Sequence, residues 1–288
     1  MRLCRFDDNR LGVVDGDTIS DVSEILDRLP AMSYPASMHD PLIVALPALL
    51  PEIRRLAAKA VKVPAASVRL LSPVGMPGKI IGAPANYMKH VAEVAADKAI
   101  NQGVVGKTID DLGLFLKAGS SVVGPGAGLE VHFPDRRTDH EGELVAVIGK
   151  AGKNIPYDKA LEHVFGYTLG LDMTLRGAED RSLRKSVDTY AVIGPWLVTA
   201  DEIADPNKLD LRLDVNGGMR QHSSTAYMIF DVQKLISYAS RFYTLQPGDL
   251  IMTGTPEGVA PVVPGDVIEL TMPEIGTMRV DVRASKAP

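Results

Sequence analysis

Asp139-His140-Glu141-Gly142-Glu143-Leu144-Val145-Ala146-Val147-Ile148-Gly149 is the stretch on which the reading of this chain turns. Its second half is an apolar run closed by glycine, as expected of a central strand over 143–149. Its first half sets Glu141 and Glu143 two residues apart, so on an extended strand both carboxylates leave one face. Side by side they repel, and one takes up a proton unless a cation sits between them. A divalent ion relieves the conflict, and hard ions such as Mg²⁺ or Ca²⁺ favour oxygen ligands. Gly170-Leu171-Asp172 offers a third carboxylate further on. Glu141, Glu143 and Asp172 are therefore expected to form a metal site. The blander reading is the solvated face of a half-buried strand, and it would prevail if the pair stood alone.

The totals exclude several function classes. The 288 residues leave room for one large or two modest domains with a real core. Acidic residues outnumber basic ones, 36 against 31, and no basic run occurs, which argues against a nucleic-acid partner. Cys4 is the single cysteine, so no internal disulfide framework exists and a reducing cytoplasm is the expected setting. The longest apolar stretch, Pro41 to Pro51, is too short to span a bilayer, so no membrane partner is expected. The charged opening Met1-Arg2-Leu3-Cys4-Arg5-Phe6-Asp7-Asp8 lacks a signal-peptide core. The 26 glycines and 20 prolines stand as single breaks, which suits a turn-rich β fold.

Along the chain, Leu11-Gly12-Val13-Val14 before Asp15-Gly16-Asp17 reads as strand, turn, strand. Pro51 is expected to open a helix that buries Ile53, Leu56, Ala57 and Ala60. A short strand follows at 68–71. Residues 1–72 form a small N-terminal α/β module in this reading, with 73–78 as the way out of it and 73–288 as the main domain. Lys79-Ile80-Ile81-Gly82 starts that domain as a strand, and Leu114-Phe115-Leu116-Lys117 resumes regular structure. Between them, residues 94–113 read as a lid or functional loop. A helix from Pro156 is expected to carry Ala160, Leu161, Val164 and Phe165 on one face. Leu209, Leu211, Leu213 and Val215 alternate with polar residues as a half-buried strand, and Asn216-Gly217 signals a hairpin turn. Asp231 is placed to cap a helix with Val232, Leu235, Ile236 and Ala239 inward. Three strands end the chain. The fold class is thus a mixed, β-rich α+β.

Taken in order, these pieces resemble the fumarylacetoacetate hydrolase family from about Lys79 to Val282. The resemblance rests on Asn86-Tyr87 with His90 and Glu93; Phe115-Leu116-Lys117 through Gly124-Pro125-Gly126; Asp139 to Leu144; and Gly166-Tyr167 with Asp172. It continues through Lys185-Ser186-Val187-Asp188, Gly194-Pro195-Trp196, Met228-Ile229-Phe230 and Thr253-Gly254-Thr255-Pro256-Glu257-Gly258-Val259. Each motif is weak alone, and their joint order is specific.

The resemblance implies a mixed β-sheet roll, a homodimer, and one Mg²⁺, Mn²⁺ or Ca²⁺ ion on Glu141, Glu143 and Asp172. Three carboxylates leave positions for water and a bidentate α-keto acid, and an all-oxygen set argues against structural zinc. It implies a lid on which His90 acts on water and Glu93 orients it; the two are three apart, on one side of a helical turn. Lys185 is implied as the cation that stabilises developing negative charge, against the plainer view of a solvated charge run over 181–185. Arg176 is a candidate for the substrate carboxylate or for the neighbours of Asp172. Thr255 is expected to offer hydroxyl and backbone N–H to the substrate. Lys117 is a further pocket candidate. His140 is expected to face away from both glutamates, behind the ligands or at the surface. Tyr87 and Met228 are expected in the core. Pro84-Ala85 replaces the family's usual Gly-Leu, which stiffens the expected lid hinge.

The expected activity is hydrolysis of a C–C bond in a 2,4-diketo acid of the acylpyruvate or fumarylpyruvate type, in aromatic or small-acid breakdown. The alternatives are a decarboxylase, an isomerase or tautomerase, or a hydratase working through an enolate held at the metal. A non-catalytic binding protein of the same fold is the third reading, and joint retention of His90, Glu93 and Lys185 counts against it.

Overall fold

Gly142–Ile148 is buried at all 7 positions, between Val164–Asp172 on one side and Leu250–Met252 on the other, both antiparallel to it. A strand covered on both faces has no polar side to show, so it reads as an apolar run without alternation. Around it, a computed structural model describes residues 1–32, 34–35, 39–97, 99–100 and 105–285. Among these, three sheets form. The largest is 12-stranded and mixed. From Gly142–Ile148 it runs one way through Leu250–Met252 and Ile80–Gly82 to Phe115–Lys117. The other way it runs through Val164–Asp172 and Ala191–Thr199 to the N-terminal strands Arg2–Phe6, Arg10–Asp15, Thr18–Asp21 and Lys62–Pro64.

A 5-stranded sheet takes Asp210–Val215, Gly218–Ser224, Val267–Met272, Gly276–Ala284 and Leu129–Val131, and packs its apolar face on the main core. The turn between its first two strands holds Asn216 at φ +53° and Gly217 at φ +75°, the left-handed pair that a two-residue hairpin needs. Asp231 accepts from the Lys234 N–H and caps Val232–Phe242, as its sequence position indicates. The third sheet is small: Thr174–Leu175, Thr138–His140 and Ala260–Pro261.

Residues 1–72 share both sheet and core with the rest. Arg2 pairs with Val198 and Leu3 with Leu197. Leu3, Ile43 and Leu46 join Val145, Val147 and Ile193 in one buried cluster. The helix expected from Pro51 in fact runs Pro41–Ala57. Asp40 caps it by accepting from the N–H groups of Leu42 and Ile43, and Pro41 sits in its first turn. Pro47 and Pro51 lie inside it on the exposed side, where burial of Leu42, Ile43, Leu46 and Ile53 outweighs their missing N–H groups. The helix expected from Pro156 is a 3₁₀ turn, Tyr157–His163, and the β-favouring Val164 and Phe165 open the next strand. In the 94–113 region, the helix Met88–Ala96 and the short Ile109–Leu112, capped by Thr108, are seen, while 98 and 101–104 lie outside the described residues.

Candidate active site

Strand register assembles the acidic triad. The extended chain is interrupted at Glu141: Thr138–His140 belongs to the small sheet and Gly142–Ile148 to the large one. The two-residue spacing survives the break. Gly142 pairs with Leu171 and Glu143 with Gly170, and the Asp172 N–H donates to the Glu141 carbonyl at 2.9 Å. Asp172 therefore stands across from Glu141, and residues directly opposite share a face. One oxygen from each of Glu141, Glu143 and Asp172 lies within 4.8 Å of the others, and all three side chains are buried. Gly170 completes the arrangement. A Cβ there would come within 2.6 Å of Val145 and 3.0 Å of Met252, so the space beside Glu143 admits no side chain.

The triad fits a hard divalent ion on its own evidence. Burial, then the charge of Asp172, pushes the Glu143 pKa well above the usual carboxylate range. The Gly254 N–H donates to Glu143 at 2.7 Å, and among the described residues no basic side chain forms an ion pair with it. Positive charge is what this carboxylate lacks, and an all-oxygen donor set is what Mg²⁺ or Mn²⁺ accepts.

The other two acids of the triad stand in a row of alternating charges. Asp97 pairs with Arg137 at 3.1 Å, Arg137 with Asp139 at 2.7 Å, and Asp139 with Arg176 at 2.8 Å. Arg176 reaches Glu141 at 3.0 Å, Glu141 meets Lys185 at 2.8 Å, and Lys185 meets Asp172 at 2.6 Å. Lys117, behind Asp172, closes the row. Burial alone would raise the Glu141 pKa, but Lys185 and Arg176 hold it below the ordinary range.

His90 and Glu93 come together as their spacing requires. Both lie on Met88–Ala96, with His90 Nδ1 2.9 Å from Glu93 Oε2. The Gly258 N–H donates to the second Glu93 oxygen at 2.9 Å and fixes the carboxylate. The helix is anchored just upstream by Asn86, whose amide donates to the carbonyls of Phe230 and Thr253 and accepts from the Phe230 N–H. That clamp holds Ala85 at φ +49°, a left-handed conformation normally left to glycine.

These groups share a cavity of about 310 Å³ lined by His90, the triad, Arg176, Lys185 and Thr255. Lys117 does not line it. Its ammonium is fully buried against Asp172 and the Tyr190 carbonyl, so the expected substrate contact is corrected to a support beneath Asp172. Thr255 lines the cavity, but its hydroxyl donates to the Gly142 carbonyl and accepts from Gln221, so its proton is already committed. Arg176 is held by Asp139 and Glu141. His140 is not at the surface: it is fully buried, neither ring nitrogen finds a hydrogen-bond partner among the described residues, and burial lowers its pKa to about 4, which keeps it neutral. Tyr87 is buried as expected, while Met228 is only half-buried.

Sequence reasoning missed the platform under Lys185. The ring of Phe115 lies 5.1 Å from the Lys185 ammonium and 5.6 Å from the Arg181 guanidinium carbon. The ring rests on Gly82, where a Cβ would come within 2.1 Å of it. The only signal was Phe115 in a quoted motif and Gly82 at the end of the strand before it.

Known proteins share this pattern. The family model described as fumarylacetoacetate (FAA) hydrolase C-terminal matches residues 79–283. A maleylpyruvate hydrolase of Aquipseudomonas alcaligenes is 54% identical over 286 residues, covering 99% of this chain and 100% of that protein. A mitochondrial oxaloacetate tautomerase of Xenopus laevis is 39% identical over 225 residues, 74% of this chain and 67% of that protein. Among solved structures, maleylpyruvate hydrolase from Sphingobium sp. SYK-6, in complex with manganese(II) and pyruvate, superposes with a TM-score of 0.83 at 39% identity. That match covers 99% of this chain and 100% of the other. With motifs, site geometry and full-length relatives in agreement, the chain belongs to the fumarylacetoacetate hydrolase family.

Proposed function

We propose that the substrate is maleylpyruvate or an acylpyruvate of the same dicarboxylic kind, that Glu141, Glu143 and Asp172 hold the ion, and that His90, Glu93 and Lys185 carry the chemistry. The enzyme is a metal-dependent hydrolase that breaks a C–C bond of a 2,4-diketo acid in aromatic catabolism. One observation carries the residue assignment: the acidic triad, Lys185 and His90 all open on one cavity, with Glu93 hydrogen-bonded to the His90 ring. Bound divalent ion, Mg²⁺ or Mn²⁺, supplies Lewis-acid stabilisation of the keto-acid oxygens.

The chain's own residues do the rest. Glu93, fixed by the Gly258 N–H, orients the His90 ring through Nδ1. The other ring nitrogen takes a proton from water, and the oxygen adds to the carbonyl carbon of the acyl group. The C–C bond to the pyruvyl methylene then breaks. Its electron pair leaves with the pyruvyl fragment, as an enolate that Lys185 stabilises by charge. Protonation of that carbon gives pyruvate, and the acyl group departs as a carboxylic acid. Arg176 and Thr255 shape the cavity wall around the substrate in this reading. The family resemblance carries a homodimer, and a lone buried cysteine fits a reducing cytoplasm.

Protein loaded with Mg²⁺ or Mn²⁺ is expected to release pyruvate and maleate from maleylpyruvate in equal amounts, read by mass spectrometry. Loaded protein that leaves every acylpyruvate intact would sink the reading. Light scattering on the purified chain tests the dimer.

A further inference from the structure

Arg181 opens the short helix Arg181–Lys185, four residues before Lys185. The two side chains therefore leave the same face of the helix, offset by about 6 Å along its axis. Both cations lie over the Phe115 ring and both line the cavity. Their partners differ. Lys185 is held by Glu141, Asp172 and Thr174. Arg176 is held by Asp139 and Glu141, and Arg184 donates to the carbonyls of Glu179 and Leu175. Arg181 is half-buried and has no hydrogen bond or ion pair with any described residue. The nearby acids do not claim it: Glu179 is engaged by Arg136, and Asp180 caps the helix at Ser182. The other two arginines of the wall, Arg176 and Arg184, are each tied through two guanidinium nitrogens to protein acceptors, while this one keeps its fork for something that enters. A guanidinium so presented matches a carboxylate, two N–H groups to two oxygens.

The geometry points to Arg181 as the residue that receives the distal carboxylate of the acyl group, which makes the enzyme selective for acylpyruvates with an acidic tail. The assignment rests on the function proposed above, in which the keto-acid end lies at Glu141, Glu143 and Asp172. Lys185 then serves the reacting end and Arg181, one helical turn on, the far end. Phe115 lies under both cations and keeps the flat unsaturated chain of a maleyl group against an apolar surface.

The test compares holoenzyme and its Arg181→Met and Arg181→Lys variants on maleylpyruvate and on acetylpyruvate, whose acyl group ends in methyl. Selectivity, the ratio of the two kcat/KM values, is expected to fall about 100-fold in Arg181→Met, chiefly through KM for maleylpyruvate. Arg181→Lys is expected to recover part of it, and it carries the same comparison if Arg181→Met fails to fold. A ratio within about threefold of wild type in both variants overturns the assignment of Arg181 and leaves the function standing. Wild-type enzyme that releases pyruvate from neither substrate overturns the function and the assignment together.

Discussion

Glu143 is the acid of the triad that forms no ion pair with any described basic side chain, and so it is where metal binding is most exposed to substitution. Glu143→Gln keeps the shape and an oxygen for the Gly254 N–H but removes the charge. Metal content after dialysis is expected to drop to background, and pyruvate release to fall by more than about 100-fold, with the far-ultraviolet spectrum unchanged. Cys4 makes a second prediction. It is wholly buried, and burial pushes its thiol from the usual value of 9.0 up to about 12. Folding thus keeps protonated a group that the unfolded chain ionises. Below pH 9 both states hold the proton and nothing is lost; as pH rises from there toward 12, the unfolded state is favoured by up to about 4 kcal/mol. Chemical denaturation across that window should show a steeper loss in wild type than in Cys4→Ala. At neutral pH, thiol labelling should proceed only as fast as the protein opens. The triad was legible because i, i+2 spacing is itself geometry. Arg181 was not. In a charged stretch, nothing local says which cation will lack a partner, since Glu141 and Asp139 are supplied to its neighbours from some 40 residues upstream.

At the scale of elements, Gly82 and Phe115 form a cross-strand pair in which one side gives up its side chain so that the other can lie flat. Gly82→Ala is expected to push the ring off its strand, costing about 1–3 kcal/mol of stability. The same change should lower kcat/KM, because the ring beneath Lys185 and Arg181 moves. Thermal unfolding and steady-state kinetics on one preparation check both parts, and a variant with wild-type melting and turnover would remove Phe115 from the account. Elements whose logic is local were read correctly: the Asn216-Gly217 hairpin and the helix capped by Asp231. Those that failed were overruled from a distance. Pro51 looks like a helix start, yet Asp40 caps that helix a full ten residues earlier because Leu42, Ile43 and Leu46 have a core to enter. Ala160 and Val164 have helical spacing but belong to different elements, since Val164 pairs with Ile148.

Across the whole molecule, the first strand is welded to one that arrives some 190 residues later, and no sequence pattern announces such a pairing. Removing residues 1–72 would bare the edge of Ala191–Thr199 and open the cluster around Val145, Val147 and Ile193. The 73–288 fragment is expected to be insoluble or to melt without a cooperative transition, whereas a sharp calorimetric peak from it would show that the later part stands alone. The family pattern, by contrast, was readable because many of its motifs put a residue on the cavity wall: His90, Phe115, Glu141, Asp172, Lys185 and Thr255. The row from Asp97 to Lys117 ties together the far end of the helix that bears His90, the small sheet and the two charge-balanced ligands. In such an arrangement every member but the first and the last has a partner on each side. Cutting it at Arg176 takes one partner from each of two acids but orphans neither, since Arg137 still holds Asp139 and Lys185 still holds Glu141. Losing Arg137 as well strips Asp139 of both its cations, so losses from Arg137→Ala and Arg176→Ala should combine to more than their sum. Behaviour of that kind belongs to a boat on two moorings, which stays put on either line and drifts once both are slipped.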